Sequence, residues 1–234
     1  MVILFIVFFI AVAVISCGGK MPVPETGPIT SMTITSDDGS VGILVDEKEY
    51  TYIDRRNGFQ VSAPIGTWDI FSKPIFEKPL PSGRRSNRVH ETSRYWRKIL
   101  DMSGVAVVMG GPFEFDTPSR GRYKGVAVIQ VFDGTLAPER RHVAAYEFLR
   151  WWGTGTESSN ESQTQVDGYP ATRWDYAGDD RGQKGQLQRV VLVFVQGAGK
   201  ALGIHGGVFQ ESSYAEFSKD FEFILSSVKF LPRE

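Results

Sequence analysis

The thiol of Cys17 is the first group in the sequence that could carry chemistry. It is the only cysteine, so the chain cannot form an intramolecular disulfide or a metal site built from several thiolates. A wholly apolar run, Val2 to Ile15, leads up to it, and Gly18 and Gly19 follow it. Small neighbours leave the backbone accessible to a processing enzyme, and a thiol can be converted to a stable thioether. The sequence therefore predicts that Cys17 is modified, not catalytic.

The four residues from Val14 to Cys17, VISC, resemble the lipobox of bacterial lipoproteins, in which an aliphatic residue stands three positions before the cysteine and a small residue directly before it. The apolar run is shorter than the ~20 residues of a membrane-spanning helix and fits a signal-peptide core, although no Lys or Arg precedes it. The resemblance implies a signal peptide over residues 1–16 and a lipidated Cys17 that carries palmitate. The alternatives are another cleavage, a retained anchor, or a cysteine buried on a core strand.

The three histidines do not have the spacing of a zinc site. His90 and Glu91 begin like the helix of a zinc peptidase, but Arg94 stands where the second histidine is required. His142 and His205 lie far away in the sequence, and the GxSxG turn of serine hydrolases is missing. We therefore predict no metal site, no catalytic residue and no enzymatic activity.

The sequence QGAGKA around Lys200 is better explained as a hairpin turn than as a phosphate-binding loop. Phe194 stands where the phosphate-loop pattern requires its first glycine, and Ala201 replaces the Ser or Thr that would bind magnesium. β-type runs from Leu187 to Val195 and from Ala201 to Val208 flank the turn and favour two antiparallel strands. We predict no cofactor.

Charge and composition do not favour nucleic acid as a partner. Lys and Arg number 26 and Asp and Glu 27, which gives a formal net charge of −1. A polyanion would favour a strongly basic surface. Hydrophobic residues make up 41% of the chain, enough to form a core. A protein partner and a membrane attached through the lipid anchor are the partners that we predict.

One segment is nevertheless basic and interleaved with apolar residues. If residues 86–100 are helical, Val89, Trp96, Ile99 and Leu100 share one face. Such a surface could lie against anionic lipid, where each basic residue contributes about 1 kcal/mol, or contact a protein partner. A solvated loop with Trp96 packed on the sheet is the simpler interpretation. We call the following residues the basic surface: Arg84, Arg85, Arg88, Arg94, Trp96, Arg97 and Lys98.

The elements around these groups change in character along the chain. Three prolines and several glycines predict a flexible tether over residues 17–30. Short β-type runs, with a turn at Asp38 and Gly39, predict an N-terminal β extension over residues 31–56. This extension forms either a hairpin or an added sheet edge.

From residue 57 onward the patterns predict one α+β domain that ends at residue 231. Residues 126–131 have the character of a central strand, residues 138–152 of a helix, and a polar loop rich in Ser, Thr and Asn follows that helix. In the antiparallel meander after the loop, Trp174 alternates with Arg173 and Asp175, and we expect Trp174 to be buried and the other two to be exposed. A last helix, Tyr214 to Ser227, has an apolar stripe: Phe217, Phe221, Ile224, Leu225 and Val228.

This order of elements resembles the PsbP-like domain family, which includes DcrB-like bacterial lipoproteins. The resemblance is carried by GFQVSAPIGTW after residue 57, by VDGYPATRWDYAG, by the long hairpin at 187–208 and by ILSSVKF near the end. It implies an antiparallel sheet flanked by helices, an α/β/α sandwich, over residues 57–231. In bacteria it implies a membrane-tethered domain without enzymatic activity. An insertion over residues 72–103 departs from the family pattern, so no partner surface is carried over.

Two functions remain. The first is a lipid-anchored protein of the bacterial cell envelope, facing the periplasm or the exterior, that binds a protein or supports envelope assembly without catalysis. The second is a small-ligand carrier or an unrecognised enzyme with a site between helix 138–152 and hairpin 187–208. A cleft there would favour the second function, and a filled core the first. Four side chains could form this site: His142, Trp151, Trp152 and His205.

Overall fold

A computed structural model describes several separate stretches of the chain. They are residues 32–65, 68–75, 99–110, 125–132, 134, 137, 140, 156–178 and 187–232. The predicted signal peptide, the tether and helix 138–152 lie outside these residues, apart from Arg140, which is helical. No helix within the described stretches is both long and apolar enough to cross a bilayer.

Twelve strands in the described stretches form two antiparallel sheets. The first sheet has the order β1-β2-β3-β4-β12. Its strands are β1 Met32–Thr35, β2 Val41–Val45, β3 Glu49–Asp54, β4 Phe59–Pro64 and β12 Lys229–Phe230. Because β3 pairs with β4 along its whole length, strands on both sides of the predicted boundary between residues 56 and 57 belong to one sheet.

The second sheet has the order β5-β6-β7-β11-β10-β9-β8. Its strands are β5 Asp69–Phe71, β6 Val105–Gly110, β7 Gly125–Phe132, β8 Thr156–Val166, β9 Tyr169–Gly178, β10 Arg189–Gly197 and β11 Lys200–Val208. The predicted antiparallel pairing is confirmed, but the strands divide into two sheets where one was expected. The predicted polar loop was also wrong, because its Ser, Thr and Asn residues form strand β8.

One hydrophobic cluster joins both sheets to the C-terminal helix α1, Tyr214–Ser227, whose predicted bounds are confirmed. Tyr52 of the first sheet, Val193 of the second and Phe221 of α1 all belong to it. At Gly206 a Cβ atom would lie 2.4 Å from the Phe221 ring. The absence of a side chain at Gly206 therefore allows the helix to pack directly on β11.

A second cluster covers the opposite face of the second sheet, so its inner strands are buried on both sides. It contains Trp174 of β9, only 4% exposed, which confirms the prediction for this residue. Leu192 of β10 lies beside Trp174 in the strand register. Ile99 and Leu100, the described residues of the predicted amphipathic segment 86–100, are helical and belong to the same cluster.

The end of the chain connects the two sheets. The short strand β12 pairs with β4, and the Phe230 backbone N–H donates to Asp167 Oδ2 (2.8 Å) in the turn between β8 and β9. Lys229 Nζ also donates to Asp167 Oδ1 (3.1 Å). One aspartate in the second sheet thus holds the last strand of the first sheet in place.

Candidate functional site

The residues that the sequence analysis proposed for lipid or partner contact are outside the described stretches. These are Cys17 and the basic surface, Arg84, Arg85, Arg88, Arg94, Trp96, Arg97 and Lys98. Of the four residues proposed for a site between helix 138–152 and hairpin 187–208, only His205 is described.

His205 lies in the middle of β11, on the face that carries the second cluster, and is 2% exposed. Leu192 of β10 and Val128 of β7 are its neighbours in register. Its Nε2–H donates to Gln130 Oε1 at 3.3 Å. The Gln130 amide Nε2 in turn donates to the Ser103 carbonyl at 2.8 Å. This second bond fixes the amide orientation, which leaves the Gln130 oxygen directed at the imidazole.

Burial controls the charge of this imidazole. Removal from water lowers the pKa of His205 to about 3, because a low-dielectric environment disfavours the charged form. The ring is therefore neutral at physiological pH, whereas an efficient general base has a pKa near the working pH. A neutral imidazole can bind a metal, but the described stretches contain no group of three His, Cys, Asp or Glu side chains that could hold one.

The space next to His205 is filled. A Cβ atom added to Gly203 would lie 2.6 Å from His205 Nε2 and 3.0 Å from the Phe132 ring. Phe132 and Phe194 lie on either side of β11 with ring centroids 5.7 Å apart. In the described part of hairpin 187–208, aromatic and imidazole rings thus occupy the space above the glycine. This is the packing expected of a core.

A charged cluster that the sequence analysis missed lies on the other face of the second sheet. The Arg173 guanidinium makes two bonds to Asp175, at 2.8 and 3.0 Å, and a third to Glu222 of α1. Tyr214 Oη donates to Asp175 Oδ1 at 3.3 Å. Burial would lower the pKa of Arg173, but the hydrogen bonds that its guanidinium donates to Asp175 and Glu222 outweigh burial and raise the pKa. The signal for this pair was the opposite charges two residues apart on one strand face.

A similar contact lies beside this cluster. Arg189 of β10 donates from Nε to both carboxylate oxygens of Glu211, at 2.9 and 2.8 Å. Its guanidinium also lies 5.2 Å from the centre of the Tyr214 ring, within the range of cation–π attraction. These charged groups hold the start of α1 against β9 and β10, so their role is structural.

Comparison with known proteins gives a partial similarity to a solved structure. No protein-family model and no curated protein matches the sequence. The chain is similar to the solution structure of cyanobacterial PsbP (CyanoP) from Synechocystis sp. PCC 6803, with 15% identity and a TM-score of 0.45, over 78% of this chain and 92% of that chain. A structural similarity of this extent does not allow a function, a ligand or a partner to be inferred for this chain.

Proposed function

We propose that this protein is a lipid-anchored, extracytoplasmic component of the bacterial cell envelope whose folded part binds a protein or supports envelope assembly. The observation that carries the proposal is VISC at the end of the apolar run, with Cys17 as the acceptor of the lipid. A tether over residues 17–30 would then separate the two sheets from the membrane.

The buried polar groups described below make hydrogen bonds that hold the fold together, which favours a binding function over catalysis. Asp54 is fully buried, and its carboxylate accepts the backbone N–H of Asn57 (2.8 Å) and the Asn57 side-chain amide (2.7 Å), which holds the turn between β3 and β4. Ser62 donates its backbone N–H to Ser227 Oγ at 2.8 Å, which fixes the end of α1 to β4. His205 is bonded within its sheet. A carrier or enzyme would need a cleft near His205, where rings are packed.

Lipid attachment is tested by replacing Cys17 with Ser in the full chain. The variant should lose palmitate labelling and accumulate as a precursor that retains residues 1–16, because the hydroxyl cannot replace the thiol as acceptor. Ser16→Ala is the matched control, since it keeps a small residue before the cysteine and should be labelled and processed normally. Equal palmitate incorporation in the Cys17→Ser variant would contradict the proposal.

The basic surface would add a second, weaker membrane contact. Attraction to anionic lipid is screened over about 8–10 Å near physiological ionic strength, so binding to anionic vesicles should fall as salt rises. In protein made without residues 1–17, which lacks the proposed lipid, replacing Arg84, Arg85 and Arg88 with Glu should remove most of this binding, and neutral vesicles should bind little with or without the replacement. If the wild-type protein shows no preference for anionic vesicles at low salt, a protein partner becomes the better explanation of these residues.

A further inference from the structure

The strands that end the two sheets in the described stretches differ greatly in length. Strand β1 has four residues, β12 has two and β5 has three, whereas β8 has eleven. An edge strand presents unpaired backbone N–H and C=O groups that can pair with another chain, and short edges limit this pairing. Only β8 is long enough to act as a template.

Strand β8 also lacks the features that usually protect a long edge. Its sequence, TESSNESQTQV, contains no proline and no lysine or arginine, which are common means of blocking strand addition. Its single irregularity lies between Thr156 and Ser158, and the register with β9 is regular over the nine residues from Ser158 to Val166. The edge is therefore straight enough to accept another strand.

Both faces of β8 are open around its middle. Asn160, Glu161, Ser162 and Gln163 are all exposed, and successive side chains on a strand point to opposite faces. A strand that pairs with the outer edge of β8 would therefore have solvent on both of its faces, and side chains on neither face would block it. Glu161 is the only charged residue between Ser158 and Val166.

We propose that β8 pairs antiparallel with β8 of a second copy of this chain about a two-fold axis at Ser162. In this register Glu161 lies opposite Gln163 of the other copy and Asn160 lies opposite Thr164, so no two carboxylates face each other between Ser158 and Val166. Ser, Thr, Asn and Gln side chains each donate and accept hydrogen bonds. Two copies of such a strand can therefore form side-chain hydrogen bonds with each other, whereas a strongly charged or apolar strand would find few complementary side chains on β8.

The dimer should be weak. A pair of nine-residue strands covers less than the roughly 1,200–2,000 Å² buried in a stable interface. Association should therefore depend on concentration, with a dissociation constant in the range of about 10–500 μM, corresponding to the weak end of specific complexes. This inference depends on the geometry of β8 and not on lipid attachment.

The test uses the purified full chain in detergent, followed by sedimentation over a range of concentrations. Ser162→Lys places like charges opposite each other at the axis and should raise the dissociation constant about threefold to tenfold. Ser226→Lys makes the same exchange at an exposed position of α1 and should leave the dissociation constant unchanged. The Ser162→Glu protein should also associate weakly alone, and mixing it with the Ser162→Lys protein should restore association.

Three results would overturn the proposal. One is a wild-type chain that stays monomeric up to about 500 μM, the weakest dissociation constant proposed from the interface size. Another is association that does not change in the Ser162→Lys protein, as expected if detergent micelles alone bring the chains together. The third is a failure of the oppositely charged variants to associate when mixed.

Discussion

Hairpins β8–β9 and β10–β11 lie side by side in the second sheet and turn in the same way, but β8 is polar and exposed around its middle, whereas β10 and β11 are buried along almost their whole length. Each turn has two residues with positive φ, Asp167 (51°) and Gly168 (79°) in the first hairpin and Ala198 (48°) and Gly199 (74°) in the second. Two such residues match the twist of the flanking strands. The turns therefore set the register in both hairpins and do not explain the difference between them.

Position in the sheet explains the difference. Strand β11 is the central strand, with three strands on either side, and both of its faces carry buried residues. Strand β8 is at the edge, where both faces are solvated around Ser162. A turn can thus specify how two strands pair, while neighbouring layers determine whether their side chains are apolar. Four predictions test this division, beginning with the largest effect.

Trp174→Ala should produce the largest loss. The side chain is buried on β9, the strand through which the first hairpin pairs with β10 of the second, and the indole Nε1 donates to Glu161 Oε2 of β8 at 3.0 Å. Removing such a ring costs about 3–5 kcal/mol of unfolding free energy, measured by chemical denaturation. Gln163→Ala on the exposed strand is the control and should have little effect. An unchanged unfolding midpoint for Trp174→Ala would contradict the burial.

Acid should destabilise the protein through His205 of the buried hairpin. Its pKa of about 3 in the folded state lies below the ordinary value of 6.5, so the unfolded chain binds the proton more readily between these values. Stability therefore decreases as the pH falls from 6.5 towards 3, by about 2 kcal/mol at pH 5. His205→Gln should flatten this dependence in denaturation measured at several pH values. If the stability of the variant depended equally steeply on pH, groups other than His205 would be responsible for the effect.

The two turns should respond with opposite signs to the same replacement. Ala198→Gly relieves a left-handed conformation that costs an alanine about 1–2 kcal/mol, so it should stabilise the protein by about 0.5–1 kcal/mol after about 0.4–1 kcal/mol for the greater freedom of the unfolded glycine is subtracted. Asp167→Gly removes the bonds to Phe230 and Lys229 and should destabilise it by about 1–2 kcal/mol. Thermal unfolding of both variants would show whether the signs differ.

Ser162→Ala on β8 should have the smallest effect on folding, within about 0.5 kcal/mol, because its side chain is exposed and substitutions at such sites are nearly neutral. Denaturation at a low protein concentration keeps any association out of the measurement. A loss above 1 kcal/mol would show that the strand is part of the core, and the contrast between the hairpins would then be smaller than the structure indicates.

The same contrast explains which elements could be predicted from the sequence. Strand β10 is recognisable from its run of β-branched and other apolar residues, β11 from the glycine turn that returns the chain after β10, and α1 from apolar residues that recur at helical spacing. Strand β8 was taken for a loop because Ser, Thr, Asn and Gln are also typical of loops. Its pairing with β9 depends on backbone hydrogen bonds, which have no sequence pattern of their own.

The charged cluster of Arg173 shows a different limit of prediction from the sequence. The burial of Trp174 followed from its alternation with Arg173 and Asp175, but these two were expected to be exposed, and the structure shows their side chains 17% and 29% exposed. Their network requires Glu222, which a local pattern could not bring next to Arg173. The arrangement of strands into two sheets was equally hidden, because β4 and β5 follow each other in the sequence but belong to different sheets, and no local pattern specifies that break.

The return of β12 has a consequence for the order in which the protein can fold. Ser62 and Ser227 are 165 residues apart in the sequence, yet they join β4 to the end of α1 next to the strand pair formed by β4 and β12. Contacts between such distant segments form slowly, because a long loop must close first. A chain that emerges from its N-terminus can form the hairpins of the first sheet early, but β12, the strand that pairs with β4, becomes available only after Lys229 and Phe230 have been made. Completion of the first sheet is thus a step that follows synthesis of every strand of the second sheet.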